Sequence, residues 1–353
     1  MLFYLFPYIY ILFVSLNLYF AKIKVNFWIL FVLLIPALLV VILRGNVGTD
    51  SFFYLGLLQD YRLYGESPMK YEPGFELLGK FLVFLGATPR QGVALIAIIS
   101  AAILCKAYSR SRNEMILFAL LVFPLFFYDF TMNGIRYGLS FCLATLAIDG
   151  LYKKKYKVFA IWGIAAFLMQ YSALLILLLF VSVLIKKKYQ IIFGILLLAV
   201  IVVSPSLFSF FMERVSNKSE DYSQLYSPSF VSGLGPLCMV LLMYVNFLWY
   251  HRKEKYSNLI HIIMVCEILG FVFAKFSYAG LRFQGAFMYC MLIYLKNNTK
   301  VNLSWKYTAN IFVMSVFAIM LFYKNISTAA EDELTPFLPY HFYWQEKYPD
   351  RLL

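Results

Sequence analysis

Residues 27–50 read FWILFVLLIPALLVVILRGNVGTD. The apolar part, Phe27 to Leu43, is long enough for one helix to cross the roughly 30 Å hydrocarbon core of a bilayer. The polar part that follows places Arg44 and Asp50 where such a helix meets water, with glycines between them for a tight turn. Ionisable groups at this depth are costly to place, so we interpret the junction as functional.

The composition of the whole chain extends this pattern. Hydrophobic residues make up 62% of the sequence, aromatic residues 20% and charged residues only 14%, which is far from the composition of a soluble domain. Apolar runs of about 17 to 25 residues recur along the chain. They predict an all-α, polytopic integral membrane helical bundle with about 10 to 12 membrane segments. Met1 to Asn17 lacks a cleavage signal and is predicted to be a retained first helix.

The predicted organisation is a single transmembrane domain over 1–353. The spans that we draw are 2–20, 26–43, 90–108, 115–130, 134–152, 189–211, 236–250, 258–275, 280–296 and 305–323. Short loops rich in Lys and Arg stay in the cytoplasm, and this rule predicts outer segments at 44–74, 213–235 and 324–353. The net charge of +13 is then almost entirely cytoplasmic, which favours contact with anionic lipid and gives no support to nucleic-acid binding.

Two regions do not fit simple crossings. Phe75 to Leu85 is short and is predicted to be a half-helix or an amphipathic helix on the outer leaflet. Val158 to Ile185, between two triple-lysine runs, is long for one span and short for two. We predict a short-armed helical hairpin over 158–185 with Gln170-Tyr171-Ser172 at its tip. The alternative is one tilted helix of about 28 residues.

Several polar residues converge on the outer side in this topology: Arg44, Asp50, Glu72, Asp129, Arg136, Gln170, Lys275 and Arg282. Arginines at the outer end of a bundle suit an anionic amphiphile, because a guanidinium binds phosphate oxygens in pairs and stays charged. A neighbouring carboxylate then supplies a general base. The alternative for Arg44 and Arg136 is an interfacial anchor that snorkels to the headgroups. For Arg136 and Arg282, the flanking glycines favour a functional role over that of an interfacial anchor.

Other polar residues have plainer interpretations. Asp149 and Glu267 are expected nearer the cytoplasmic half, with a partner such as His261 or a structural hydrogen bond. Tyrosines of the first outer loop and of the Arg136 segment are candidates for a sugar-binding groove: Tyr54, Tyr61, Tyr64, Tyr71 and Tyr137. The sequence has no nucleotide-binding glycine loop, Ser-His-Asp order or metal-ligand spacing. We therefore predict no metal and no cofactor, and a donor already activated in the membrane.

Four short motifs resemble the EpsG-like branch of the Wzy-type polysaccharide polymerases over most of the chain. They are Arg-x3-Gly-Thr-Asp-x3-Tyr at 44–54, Glu-Pro-Gly-Phe-Glu at 72–76, Asn-x2-Arg at 133–136 and Tyr-Ser-Ala-Leu at 171–174. The resemblance implies a multi-pass glycosyltransferase of the bacterial inner membrane whose site faces the periplasm or exterior. Its substrates would be oligosaccharide repeat units of O-antigen (lipopolysaccharide), capsule or exopolysaccharide, carried on a polyprenyl diphosphate such as undecaprenyl diphosphate.

The resemblance also marks individual positions. Arg44, Asp50, Arg136 and Arg282 are the matching charged residues, and we expect the three arginines, with Lys275, to bind the substrate diphosphate. Such proteins commonly have a histidine before Ser-Ala-Leu, whereas this chain has Gln170 and Tyr171. Glutamine cannot accept a proton near neutral pH, so the base is Asp50, Glu72 or Asp129. Gln170, Tyr171, Tyr54 and Tyr137 are then expected to contact sugar.

Two other classes of membrane protein stay open. A lipid-linked oligosaccharide flippase also needs intramembrane arginines, but it would show inverted repeats, and none is seen here. A membrane O-acyltransferase would be expected to use a histidine base, and the three histidines fall at cytoplasmic or terminal positions. The sugars joined, the oligomeric state and partnership with a chain-length regulator are also left open.

Overall fold

The computed structural model describes residues 1–48, 50–68, 70–182, 231–250, 257–275, 278–298, 305–327 and 337–345. These residues are overwhelmingly helical, and the described part contains no β-strand. The predicted all-α polytopic fold is thus confirmed. The predicted span 189–211, positions 213–230 of the second outer loop and Thr49 of the first motif lie outside the described residues.

The chain divides into two compact units. The first contains Met1–Leu174 and Thr299–Leu353, and the second contains Leu175–Asn298. The helices of the first unit are α1 Leu2–Phe20, α2 Phe27–Leu43, α3 Ser51–Tyr64, α4 Pro73–Phe84, α5 Pro89–Tyr108, α6 Arg112–Leu117, α7 Ile135–Tyr152, α8 Tyr156–Met169 and, later in the chain, α13 Trp305–Ser327. Helix α9, Ala173–Ser182, begins at the boundary. The second unit contains α10 Leu234–Tyr250, α11 Ser257–Phe273 and α12 Tyr278–Asn298.

Most predicted spans coincide with a helix to within a few residues. Three described helices are long and apolar enough to cross a membrane, namely Leu2–Phe20, Pro89–Tyr108 and the part Ala309–Ser327 of α13. Several shorter apolar helices, including Phe27–Leu43, accompany them. The short helix predicted at 75–85 is confirmed as α4. Helix α3 was not predicted, since the sequence analysis treated 44–74 as a loop.

Local sequence signals set where these helices begin. The Asn26 side chain accepts a hydrogen bond from the Ile29 amide at 2.9 Å and caps α2. Thr88 and Gln91 form a reciprocal capping box at the start of α5, with Pro89 in the first turn. Both arrangements satisfy amide groups that a helix start leaves without an intrahelical acceptor.

The apolar stretch 158–185 is broken at Gln170, as predicted. Gln170 has extended backbone angles (φ −160°, ψ 129°) and ends α8, and α9 begins at Ala173. The alternative of one long helix is therefore wrong. The hairpin geometry stays a prediction, because residues 183–185 lie outside the described residues and α9 crosses the boundary between the units.

The helix that follows α6 is wider than an α-helix. It continues as π-helix over Phe118–Phe127 and Asp129–Asn133 before Gly134 ends it. An aromatic core surrounds it: Tyr8 of α1 stacks on Phe123 with centroids 5.5 Å apart, and Phe322 of α13 stacks on Tyr128 at 6.0 Å. Extended π-helix is rare and often lies at functional sites. Here it leads directly into the segment that carries Arg136.

Gly138 allows α7 to pack closely against the end of the π-helix. A Cβ atom at Gly138 would overlap the Phe130 backbone. We expect Gly138→Ala to lower the free energy of unfolding by about 2 kcal/mol, because overpacking forces backbone to move. Gly56→Ala in α3 is the matched control, since no atom lies within 4 Å of a Cβ there. Thermal unfolding in detergent measures both, and equal effects of the two variants would contradict this account.

The helices of the first unit share two recognisable ends. Helix α2 ends beside Arg44, α5 begins at Pro89, and Gly134 separates the end of the π-helix from the start of α7. We call this the site end. The opposite, lysine-rich end carries the ion pair between Arg110 and Asp149, 2.6 Å apart. Asp149 therefore has Arg110 as a partner, and its suggested contact with His261 of the second unit stays a prediction.

Candidate functional site

An ion pair between Arg136 and Glu72 lies at the site end. Arg136 is in the first turn of α7, and Glu72 is the residue that precedes α4. The Arg136 Nη1 atom lies 2.5 Å from the Glu72 Oε2 atom, and the two side chains are only 11% and 9% exposed. Among the described residues, the buried Arg136 Nε atom has no hydrogen-bond partner. The pair therefore retains an unused donor in a nearly buried site.

Aromatic rings surround this pair. The Tyr71 ring centroid is 4.7 Å from the Arg136 Cζ atom, within the range of a cation–π contact. Tyr71 and Tyr54 both pack against Phe75, with centroids 6.0 and 5.8 Å apart. Burial raises the pKa of Tyr54, and the neighbouring Arg136 cation offsets only part of this rise, so the phenol keeps its proton near neutral pH.

The break at Gln170 lies close to the ion pair. The Ser140 hydroxyl, one turn after Arg136 in α7, donates to the Ala166 carbonyl at 2.7 Å and approaches the Gln170 carbonyl at 3.4 Å. Gly74, two residues after Glu72, packs directly on Leu168. The Oε1 atom of Gln170 is buried and, within the described ranges, accepts no hydrogen bond. The break at Gln170 is therefore held near the segments that carry Arg136 and Glu72.

Arg44 is buried and does not extend toward lipid headgroups. Only 4% of the surface of Arg44 is exposed, and its Nη1 atom donates a hydrogen bond to the Thr131 carbonyl at 2.8 Å. The Nη2 atom is also buried and has no partner in the described part of the chain. Burial lowers the pKa of Arg44 to about 10, and nearby Arg90 also lowers it, so the guanidinium is still a cation near neutral pH. This geometry does not suit the snorkelling alternative.

Residues 337–345, which we call the strap, cover the backbone around Arg44. The Gly45 amide donates to the His341 carbonyl at 2.7 Å, and Arg44 and Phe342 form an antiparallel β-bridge. The Tyr340 hydroxyl donates to the Val40 carbonyl at 3.0 Å. The strap therefore fixes the end of α2 and the first residues of the outer loop.

Arg90 is a candidate site residue that the sequence analysis missed. Its Nη1 atom donates to the Arg44 carbonyl at 2.6 Å, and its Cζ atom lies 4.6 Å from the Tyr343 ring centroid. Arg90 and Arg44 line one small cavity together with Gly45 and Ser51. The signal in the sequence was weak, since a Pro-Arg pair at the start of α5 is ordinary at a helix end.

The loop after Arg44 sits on the end of the π-helix. Gly48 has a left-handed φ of +110°, and a Cβ atom there would lie 2.8 Å from the Met132 carbonyl oxygen. This position therefore requires glycine. The predicted carboxylates flank the contact: Asp50 precedes α3, and Asp129 accepts a long hydrogen bond from Asn133 at 3.4 Å. Glu72 is a predicted carboxylate, and it contacts the predicted arginine Arg136.

Two predicted sugar-contacting tyrosines pack mainly against neighbouring rings. Tyr137 lies against Phe130 and Phe141, with centroids 5.5 and 5.6 Å apart. Tyr171 lies against Phe167 at 5.0 Å. Both rings stay half-exposed, so their predicted role in sugar binding stays a prediction.

Lys275 and Arg282 belong to the second unit. The Lys275 ammonium donates to the Ser232 carbonyl at 2.7 Å, and Arg282 is exposed on α12. Buried Gln284 of the same motif donates to Glu267 at 2.7 Å and to the Gly233 carbonyl at 3.0 Å. The predicted meeting of Lys275 and Arg282 with Arg136 stays a prediction, because the two sets lie in different units.

Glu267 accepts a hydrogen bond from Gln284 within the second unit. Its predicted position nearer the cytoplasmic half stays a prediction. Its suggested partner was His261, whose Nδ1 atom instead lies 2.8 Å from the Tyr244 hydroxyl. The other suggestion, a structural hydrogen bond, is correct for Glu267.

Together, these features define a polytopic helical membrane protein with buried guanidinium and carboxylate groups at one end of its first unit. The EpsG family model matches residues 26–342, and the chain therefore belongs to the EpsG family. The match begins just before α2 and ends at Phe342 in the strap, so it covers every candidate residue described above. The family indicates a role of the polysaccharide-polymerase type. Comparison with curated proteins and with solved structures found no match.

Proposed function

We propose that this protein is a glycosyltransferase that polymerises polyprenyl-diphosphate-linked oligosaccharide repeat units. The single observation that carries the proposal is the buried pair of Arg136 and Glu72, beside the aromatic rings of Tyr71 and Tyr54. It combines an anion-binding group, a candidate base and flat apolar surfaces for sugar rings in one place. Membership of the EpsG family supports the same conclusion.

In the proposed reaction, a phosphate oxygen of the donor competes with Glu72 for the Arg136 guanidinium. The exchange frees the carboxylate to act as a base. An acceptor hydroxyl then forms a bond to the anomeric carbon of the donor, its proton passes to Glu72, and the bond to the polyprenyl diphosphate breaks. Positioning of the reactants and stabilisation of the departing diphosphate supply most of the barrier reduction. Lys275 and Arg282 are proposed to assist at the diphosphate.

The neighbouring groups have proposed roles in holding sugar. Gln170 offers a buried carbonyl oxygen without a partner in the described part of the chain, which suits a sugar hydroxyl. The Tyr71 ring lies over the Arg136 guanidinium, and the Tyr54 phenol is close enough to Arg136 to interact with it electrostatically. Asp50 and Asp129 stay alternative bases. The reaction as proposed uses no cofactor.

The site end is proposed to face the periplasm or cell exterior from the inner membrane. The opposite end of the first unit carries Arg110, Arg112 and the triple lysine 153–155. Basic residues of short loops are retained in the cytoplasm. This orientation gives the site access to lipid-linked repeat units at the level of the outer headgroups.

A deletion strain tests the proposed function. We expect cells without the protein to carry single repeat units on their surface glycan, and re-expression to restore the ladder of longer chains on a gel. Complete loss of surface glycan would indicate a flippase instead. Full-length chains that lack an acyl group would indicate an acyltransferase. Either of these two results would contradict the proposal.

A further inference from the structure

Arg44 is a buried cation whose partner is backbone. Within the described ranges, no carboxylate forms an ion pair with Arg44. Its Nη1 atom donates instead to the Thr131 carbonyl at 2.8 Å. A buried charge is costly unless a group of opposite polarity faces it. The carbonyl end of the segment that contains Thr131 is therefore the group that stabilises this guanidinium.

That segment is the last turn of the π-helix. A helix C-terminus carries a partial negative charge, and its last carbonyl groups lack donors within the helix. Thr131 is the third residue from the end of the segment Asp129–Asn133, so its carbonyl belongs to this group. The Ser51 hydroxyl approaches the next carbonyl, that of Met132, at 3.4 Å. Arg44 thus caps the π-helix, as basic side chains cap the ends of α-helices.

The capped end supports the first turn of α7, in which Arg136 lies. Only Gly134 separates the two helices, and its amide donates to the Asp129 carbonyl at 3.0 Å. Gly138 of α7 packs so closely on the Phe130 backbone that a Cβ atom would overlap it. The place of the Arg136 side chain therefore depends on where the π-helix ends.

The backbone of Arg44 is itself held in place. The Arg90 guanidinium donates to the Arg44 carbonyl at 2.6 Å, and Phe342 of the strap forms a β-bridge with Arg44. Helix α5 and the strap thus fix the main chain of Arg44, while its side chain holds the π-helix. These contacts connect the strap to Arg136 through Arg44 and Thr131.

We propose that Arg44 is a positioning residue, which caps the π-helix and thereby holds Arg136 in place for the donor diphosphate. This inference rests on the proposed function. It gives Arg44 a role other than the predicted one, a direct contact with the diphosphate. The Nη1 atom is committed to Thr131. The Nη2 atom has no partner in the described part of the chain and is the donor that a direct contact would use.

Arg44→Met tests the cap, with Arg112→Met as its matched control. Arg112 is also an arginine at a helix end, since its Nη1 atom donates to the Tyr19 carbonyl at 3.4 Å, but it lies at the lysine-rich end. The first measurement is hydrogen exchange of the purified full-length protein without substrate. We expect Arg44→Met to speed exchange at amides 134–138 by about tenfold, the effect of one lost hydrogen bond to a charged group. Arg112→Met should leave these amides unchanged.

Kinetics are the second measurement, with lipid-linked repeat units extracted from the deletion strain as substrate. We expect Arg44→Met to lower kcat by about tenfold to a hundredfold, because misplacement by about 1 Å has an effect of this size. KM should stay within about twofold, since the lost effect belongs to the transition state. Arg44→Lys keeps a cation near the Thr131 carbonyl and should restore slow exchange and most of kcat. Arg112→Met should keep the kcat and KM of the wild type.

Four other results would overturn the inference. Unchanged exchange at 134–138 in Arg44→Met would show that Arg44 does not cap the π-helix. Faster exchange with an unchanged kcat would show a cap that does not position Arg136. A tenfold rise in KM with kcat unchanged would make Arg44 a direct ligand of the substrate. Faster exchange throughout the bundle, with Arg44→Lys no better than Arg44→Met, would indicate a general role in folding.

Failure of the proposed function gives a different pattern. If a deletion strain lacks all surface glycan, the polymerase proposal is wrong. Local exchange at 134–138 that is faster in Arg44→Met and normal in Arg44→Lys would still establish the cap, because that measurement needs no substrate.

Discussion

Arg136→Ala should abolish long-chain polysaccharide and also destabilise the protein. Removal of one partner leaves the Glu72 carboxylate buried without its counter-charge, which costs about 3–5 kcal/mol. The proposed reaction also loses the cation that receives the donor diphosphate. Polymer ladders normalised to protein level measure the first effect, and thermal unfolding in detergent measures the second.

A double variant separates chemistry from folding. Arg136→Met combined with Glu72→Gln removes both charges, so we expect it to recover most of the lost stability and none of the polymer. The matched control is Arg110→Met with Asp149→Asn, which removes a second ion pair of the same unit and should leave the ladder intact. If the Arg136 and Glu72 double variant restores long chains, the pair has only a structural role.

Truncation before the strap should have the second largest effect. A stop codon in place of codon 337 removes the partners of the Gly45 amide and the Val40 carbonyl, and the ring that packs on Arg90. Each hydrogen bond contributes about 1 kcal/mol, so Arg44 and the start of the outer loop lose their fixed geometry. We expect polymer length and amount to fall at least tenfold, about the effect of 1.4 kcal/mol, as measured by polymer ladders.

The control for this experiment is a stop codon after Gln345, which keeps the strap complete and should behave as the wild type does. Tyr343→Ala is a finer test, because it removes only the ring stacked on Arg90 and should have a smaller effect. A chain that ends at residue 336 but still makes a normal ladder at normal protein level would show that the strap does not support the site.

Helix positions were predictable because the bilayer fixes the length of an apolar run. Phe27–Leu43 was predicted almost to the residue, and the break at Gln170 followed from an apolar stretch too short for two crossings. Helix α3 was missed because Gln59, Asp60 and Arg62 interrupt its apolar residues. The π-helix was missed for another reason. Almost every residue of Phe118–Phe127 is apolar, so no periodicity distinguishes a wide helix from an α-helix.

The candidate site was predictable in part. Arg136 and Glu72 each stood out as ionisable residues beside a membrane helix, but nothing local in the sequence indicated that they pair across 64 residues. The strap gave no signal, since the hydrogen bond between Tyr340 and Val40 joins positions 300 residues apart. Contacts of this kind depend on how helices pack in three dimensions. Patterns within one segment do not contain them.

The strap also has a consequence for biogenesis. The ribosome releases Arg44 some 300 residues before it releases the strap, so a half-made chain already inserted in the membrane has an unfinished site end. On our proposal, a nascent chain consumes lipid carrier at least tenfold more slowly than the finished protein, and full activity begins only when translation has passed residue 345. Pulse-labelled cells would reveal this as a delay between membrane insertion and the first new polymer.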